Sequence, residues 1–229
     1  MIGLRQTFEL DGQADEAEVL RYLGYPVGAR PAGSVTAAVR ELLPRASDSI
    51  RARAICRVDR VAEMGATRLD LEGGGSFRGA FGQFFGQCRA VALFIATVGP
   101  RLDEAAREAF SRGEQVNGLV LDAIGSAAAD AAACAVEARI RALAEHHGWA
   151  ITAPYSPGYC GMALHQQQEI FRLLPGREIG VELTPSMGMR PAKSVSALIG
   201  LGEPGAVAPY AIPCERCEMT HHCAMRRTA

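Results

Sequence analysis

The segment NGLVLDAIGSAAADAAACAVEARIRALAEHHG, residues 117–148, constrains the fold more than any other part of the chain. Its composition predicts one helix of about 30 residues, roughly 45 Å long if unbroken. The alanines allow neighbouring elements to approach closely. Asp122, Ser126, Asp130 and Cys134 recur every fourth residue and so share one slowly drifting face. That face is either a solvated stripe or the wall of a ligand cleft. A helix this long needs a broad surface to cover.

The nearly continuous apolar run CRAVALFIATVGP provides it, as a strand covered on both faces at the centre of a sheet. SIRARAICRVDRV and TRLDLE alternate apolar and polar residues as half-buried antiparallel strands do. IGLRQTFEL reads as a first strand, and ADEAEVLRYLGY as a short helix ending at Gly24 with Pro26 beyond. SVTAAVRELLPRA reads as a helix capped by Ser34 and interrupted at Pro44. A helix spans about Pro100–Arg112, with Asp103 and Glu104 suited to its dipole.

Beyond Gly148 the chain becomes a Pro/Gly/Tyr-rich loop, WAITAPYSPGYCGM, then a helix ALHQQQEIFRLL. Strand-like sequence broken by Pro185, Gly188 and Pro191 follows. The economical architecture is a single α+β domain with a central, mainly antiparallel sheet. It covers residues 1–205, and a cysteine-rich tail, 206–229, packs on the same domain.

A hydrophobic content of 48% over 229 residues is enough for a real core. The net charge of −1 offers no basic field for nucleic acid or an anionic membrane. No charged-then-apolar leader opens the chain and no apolar run reaches the roughly 20 residues of a spanning helix, so a cytoplasmic location is expected. Hydrolytic motifs of the G-x-S-x-G, H-E-x-x-H and P-loop types are absent. EGGGSF reads as a turn between a strand and a helix. His165 is either a proton shuttle or a partly exposed helix-start residue.

In a reducing compartment, cysteines more often mean metal or catalysis than disulfides. Cys56, Cys88 and Cys134 sit singly in apolar surroundings, as core residues do. The tail PCERCEMTHHCAMRR is different, because Cys214 and Cys217 at a C-x2-C spacing, with Cys223 close behind, can converge on one ion. His221 and His222 lie between the last two thiols; either could replace a thiolate in a zinc site, but two adjacent histidines are more often surface residues.

SPGYCGM and IGVELTPSMGMRPAKSVSALIGLG, taken together, resemble the reactivation domain of cobalamin (vitamin B12)-dependent methionine synthase. Pro157, Gly158 and Tyr159 match that family's loop. Val181-Glu182-Leu183-Thr184 with Ser186 match its strand, and Ser194-Val195-Ser196 match its turn. The LDAIGSAAAD start of the long helix fits as well, so the likeness covers roughly residues 90–202. It implies a C-shaped α+β domain that binds S-adenosylmethionine and docks over a corrinoid whose Co(II) must be reduced and remethylated. The cofactor site it implies draws on Asp130, Pro157, Gly158, Tyr159, Arg190, Ser194 and Ser196. Arg190, with Lys193, either meets a phosphate or carboxylate of the corrinoid or solvates the turn.

Two departures bear on that site. Pro154 stands where the family has the Arg that holds the methionine carboxylate, which removes a bidentate charged pair. Asp130 lies near the place of a family Glu and is one methylene shorter. Binding of S-adenosylmethionine is therefore expected to be weak or absent.

A standalone branch associated with anaerobic corrinoid methyl transfer resembles this chain in combining SPGYC with a C-terminal cysteine cluster. Cys160 then becomes the fourth thiolate beside Cys214, Cys217 and Cys223, a set that suits either zinc or a [4Fe–4S] cluster. Zinc would staple the fold; a cluster could also deliver single electrons to cobalt. The implied function is an accessory protein for reductive reactivation of a corrinoid methyltransferase, with a corrinoid protein as partner. The alternatives are a zinc-stapled capping module and the reactivation subunit of a split methionine synthase.

Overall fold

The computed structural model describes residues 3, 5–25 and 28–208. In chain order these form β1 (Arg5–Glu9), α1 (Glu16–Tyr22), α2 (Gly33–Ser47), β2 (Arg53–Met64), β3 (Arg68–Leu71), β4 (Ser76–Arg78), α3 (Phe81–Phe85), β5 (Ala90–Thr97), α4 (Arg101–Ser111) and α5 (Gln115–His146). Then follow β6 (Ala150–Ile151), α6 (Gln167–Leu173) preceded by a 3-10 turn, β7 (Glu182–Leu183), β8 (Met189–Arg190) and β9 (Ser194–Gly202). The sheet runs β4-β3-β2-β5-β9-β6, with β1 also on β2, and every pairing is antiparallel. Hairpin β7-β8 stands apart from it.

Every residue of β5 is buried, as its apolar run requires. Its two faces differ in size. Ala90, Ala92 and Ala96, with Phe94 among them, face the α1/α2/α5 layer, whereas Val91, Leu93 and Ile95 face the second core. Alanines on α5, among them Ala123, Ala127, Ala128 and Ala132, complete a close helix–sheet contact on the first side. The second core is bulkier, built from Phe77, Phe81, Phe85, Ile170 and Leu198. The sheet therefore separates a helical layer from a layer of hairpin, loop and short helices.

Local chemistry explains several boundaries. Asp15 caps α1 by accepting from the Ala17 and Glu18 backbone N–H groups at 2.8 and 3.3 Å. Helix α2 starts at Gly33 with no side-chain cap and continues through Pro44 to Ser47, so Ser34 lies in its first turn and Pro44 does not end it. The proline forfeits one bond, to the carbonyl of Arg40, an exposed residue that water can reach. The glycine turn after β3 leads into β4 and not into a helix. A Cβ on Gly73 would lie 2.6 Å from Asp59 Oδ2, so only glycine lets this turn close over the Arg57–Asp59 pair.

Helix α5 is long and apolar enough to cross a membrane, which the sequence reading did not expect of any segment. Half of that stretch is buried within the protein. Cys56 and Cys88 are core residues whose thiols burial pushes up to about 12. Cys134 is exposed, contrary to expectation, because its stripe turns away from the sheet.

Candidate functional site

After β6 the chain keeps running beside β9. Thr152 N donates to Gly200 O at 2.9 Å, and Tyr155 and Leu198 exchange both backbone bonds, at 2.8 and 2.9 Å. Pro154 occupies a position between these bonds, where no N–H is needed. The chain then turns sharply at Gly158 and Gly161, whose φ values of 93° and 84° suit glycine. Bonds from Gly158 N to Met162 O (2.7 Å) and from Met162 N to Tyr159 O (2.9 Å) close the loop. Tyr159, at its tip, is 65% exposed, and Leu164 beside it is 45% exposed.

Tyr155 anchors this loop from below. Its ring is buried, stacked on Phe84 with centroids 4.8 Å apart and meeting Phe81 edge-on at 5.5 Å. Its hydroxyl accepts from Ala80 N at 3.1 Å and donates to Cys160 O at 2.8 Å. Burial raises the phenol's pKa. Cys160 has φ +45°, rare for a residue with a Cβ. It lines a groove of about 520 Å³ together with Thr67, Arg78, Gln83, Phe84 and Gly161.

The last described residues reach the same region. Ala208 N donates to Phe85 O at 3.2 Å, and Gln87 N to Ala206 O at 2.8 Å. A Cβ on Gly86 would sit 2.6 Å from Ala208 N, so glycine permits the approach. Cys214, Cys217, Cys223, His221 and His222 lie outside the described residues, and among the described residues no three metal-ligating side chains cluster.

The motif Ser194-Val195-Ser196 opens β9 and is not a turn. Ser194 Oγ donates its one proton to Pro191 O (2.7 Å) and accepts from Thr97 Oγ1 (2.9 Å). Ser196, 4% exposed, donates to Gln167 Oε1 at 3.0 Å. Arg190 is exposed on β8, opposite Glu182.

Asp130 lies in the helical layer, on the opposite face of the sheet from the loop of Pro157, Gly158, Tyr159 and Cys160. Its Oδ2 accepts from Tyr22 Oη at 2.6 Å and from Arg21 at 3.3 Å. The Asp122–Ser126 part of the same stripe receives Lys193. Asp122, Ser126 and Asp130 of the stripe thus each carry a tie to another element, while Cys134 is exposed.

Two buried glutamines escaped the sequence reading. Gln166 pairs its side-chain amide with both backbone groups of Arg78, and Gln167 Nε2 donates to Met187 O at 2.7 Å. Their spacing to Ile170, Leu173 and Leu174 places them on the apolar face of α6, a signal the QQQ run obscures.

Comparison with curated proteins gives no match. Among solved structures the chain is similar to the MetH reactivation domain bound to AdoHcy, with a TM-score of 0.69 and 15% sequence identity, over 93% of this chain and 81% of that one. At that identity the likeness shows a shared fold. Residues 83–207, more than half the chain, match the family described as vitamin B12 dependent methionine synthase, activation domain. This stretch contains β5, α5, the GYC loop and β9, and with it the chain belongs to the methionine synthase activation-domain family.

Proposed function

We propose that this protein reductively reactivates, or keeps reducible, the cobalt of a corrinoid methyltransferase, using a metal centre held by Cys160, Cys214, Cys217 and Cys223. What supports this reading is that Cys160 of the GYC loop lines a groove with Phe84, and that the last described residue, Ala208, bonds to Phe85, the next residue in the chain. Family membership supports a corrinoid protein as partner. The donor set suits the group, since four thiolates satisfy a [4Fe–4S] cluster and Cys160 is neither sealed in the core nor fully exposed. Cys160, Cys214, Cys217 and Cys223 would hold such a cluster, whose chemistry would be one-electron transfer of the kind that reduction of corrinoid Co(II) to Co(I) requires, with an external one-electron donor to restore it.

The chain's own residues position and shield. Tyr159 and Leu164 offer an exposed apolar tip against which a corrinoid face can pack, excluding water from the space beside Cys160. Ser194, Ser196 and Gln167 tie β9 to α6 and to the β7-β8 hairpin. Pro154 and the engaged Asp130 argue against S-adenosylmethionine as the principal ligand, although the structural relative is bound to AdoHcy.

The test is protein purified without oxygen and assayed for iron, sulfide and zinc. Four irons and four sulfides per chain, lost equally in Cys160→Ala and Cys217→Ala, are expected. Reduced wild type then yields Co(I) from a Co(II) corrinoid and Cys217→Ala does not. A colourless zinc protein, or equal Co(I) yields, replaces this reading with that of a non-redox capping module.

A further inference from the structure

We infer that Gln166, Glu169 and Arg172 stand in for a neighbouring strand at the β4 edge of the sheet, and that this edge, once released, pairs with a second copy of the chain. Among the described strands β4 ends the sheet on one side. Its bonds to β3 fall on alternate residues: Leu71 N donates to Gly75 O at 2.8 Å and Gly79 N to Thr67 O at 3.0 Å, with Phe77 opposite Leu69 between them. The N–H and C=O groups of Ser76 and Arg78 therefore point away from β3, to where a further strand would lie.

Side chains occupy that place instead. Gln166, which ends the 3-10 turn before α6, gives Arg78 N an acceptor and Arg78 O a donor. Glu169 Oε1 accepts from Ser76 N at 3.2 Å, and Arg172 Nη2 donates to Gly74 O at 2.6 Å. Arg172 also pairs with Glu169 at 2.7 Å, so the two hold each other over the edge. The three side chains recur every third residue, while their targets Arg78, Ser76 and Gly74 recur every second residue in the opposite direction. Those steps are about 4.5 Å along a helix and about 6.7 Å along a strand, a mismatch that long side chains span.

An amide that meets both backbone groups of one residue does what an adjacent strand does. Unpaired edges are templates for other chains, and the edge most like β4 is β4 itself. Two copies related by a two-fold axis set Ser76 of each opposite Arg78 of the other, so the outward groups are self-complementary. Gln167, Ile170 and Leu173 seat α6 independently of this row, through Met187, Ser196 and the second core. Truncating the row therefore frees the edge without removing the helix.

The test is sedimentation velocity on the reduced full-length chain over a wide concentration range, with wild type beside Gln166→Ala/Glu169→Ala/Arg172→Ala. The triple variant is expected to keep the wild-type circular dichroism spectrum and to self-associate about tenfold or more tightly than wild type, a factor that a pair of backbone bonds reaches. Adding Ser76→Pro removes an outward N–H and should return association to the wild-type level. A folded triple variant that sediments as wild type overturns the inference, and so does association that persists with Ser76→Pro. If the triple variant loses its native spectrum, Gln166→Ala alone decides. Faster amide exchange at Arg78 with Phe77 unchanged, together with added self-association, upholds the inference; wild-type sedimentation overturns it.

Discussion

Lys193 Nζ lies 2.7 Å from Asp122 Oδ1 and 2.9 Å from Ser126 Oγ, tying the segment before β9 to the first half of α5. The lysine stem passes directly over Gly125, where a Cβ would meet Lys193 Cγ at 2.9 Å. Lys193 is 12% exposed while Asp122 is 56% exposed, so the two ends of the pair contribute unequally. Asp122→Ala is expected to cost below about 1 kcal/mol, as a solvent-screened pair does. Lys193→Ala should cost about 1–2 kcal/mol, because buried stem packing is lost as well. Urea unfolding checks both, and equal losses would contradict the asymmetry.

Gln167 joins three elements, accepting from Ser196 on β9 and donating to Met187 before β8. Ser196→Ala leaves its Oε1 buried without that donor, and a cost of about 1–3 kcal/mol is expected. Gln167→Leu, of similar size, removes the polar group on α6 and frees the hairpin. Its signature is faster amide exchange across Leu183–Arg190 with β5 unchanged.

Tyr22 carries a pH dependence. Burial, and then its hydrogen bond to Asp130, raise the phenol's pKa above the ordinary value of 10.0. The folded protein thus keeps a proton that the unfolded chain releases. That contribution to stability is complete below about pH 10 and is lost as pH rises beyond it. Tyr22→Phe should flatten the decline of stability between about pH 10 and 11 relative to wild type. Parallel declines would show that Tyr22 does not carry it.

S-adenosylmethionine should bind weakly. A missing guanidinium at Pro154 costs about 1.5–3 kcal/mol of carboxylate recognition, and Asp130 already serves Tyr22 and Arg21. Calorimetry is expected to give no tight complex with wild type and a measurable gain with Pro154→Arg. Micromolar binding abolished by Asp130→Ala would restore an S-adenosylmethionine-dependent mechanism.

The long helix and the central strand are legible in the sequence because each follows from a single sustained pattern, alanine-rich in one case and unbroken apolar in the other. The loop at Pro157-Gly158-Tyr159 is legible through its glycines and its family likeness. What stays hidden depends on partners distant in sequence. Asp130 carries no local mark that its carboxylate is occupied by Tyr22, more than a hundred residues earlier. Nothing around Tyr155 announces that its hydroxyl reaches both Ala80 and Cys160. The two residues of β6 are too few to show any periodicity.

The placement of β5 has a consequence for how the chain assembles. Thr97 pairs with Ser194 and Ala90 with Leu201, so one whole edge of the most apolar strand is completed by the last of the described strands to be synthesised. During translation that edge emerges, with β2 available on its other side, long before its partner exists. Pairings of such range are slow to form and leave unpaired backbone open to other chains. Helix α5, made in the interval, can shield the face of β5 that carries Ala90, Ala92, Phe94 and Ala96 but not the edge. A nascent chain stalled before residue 194 is therefore expected to be the species most in need of a chaperone.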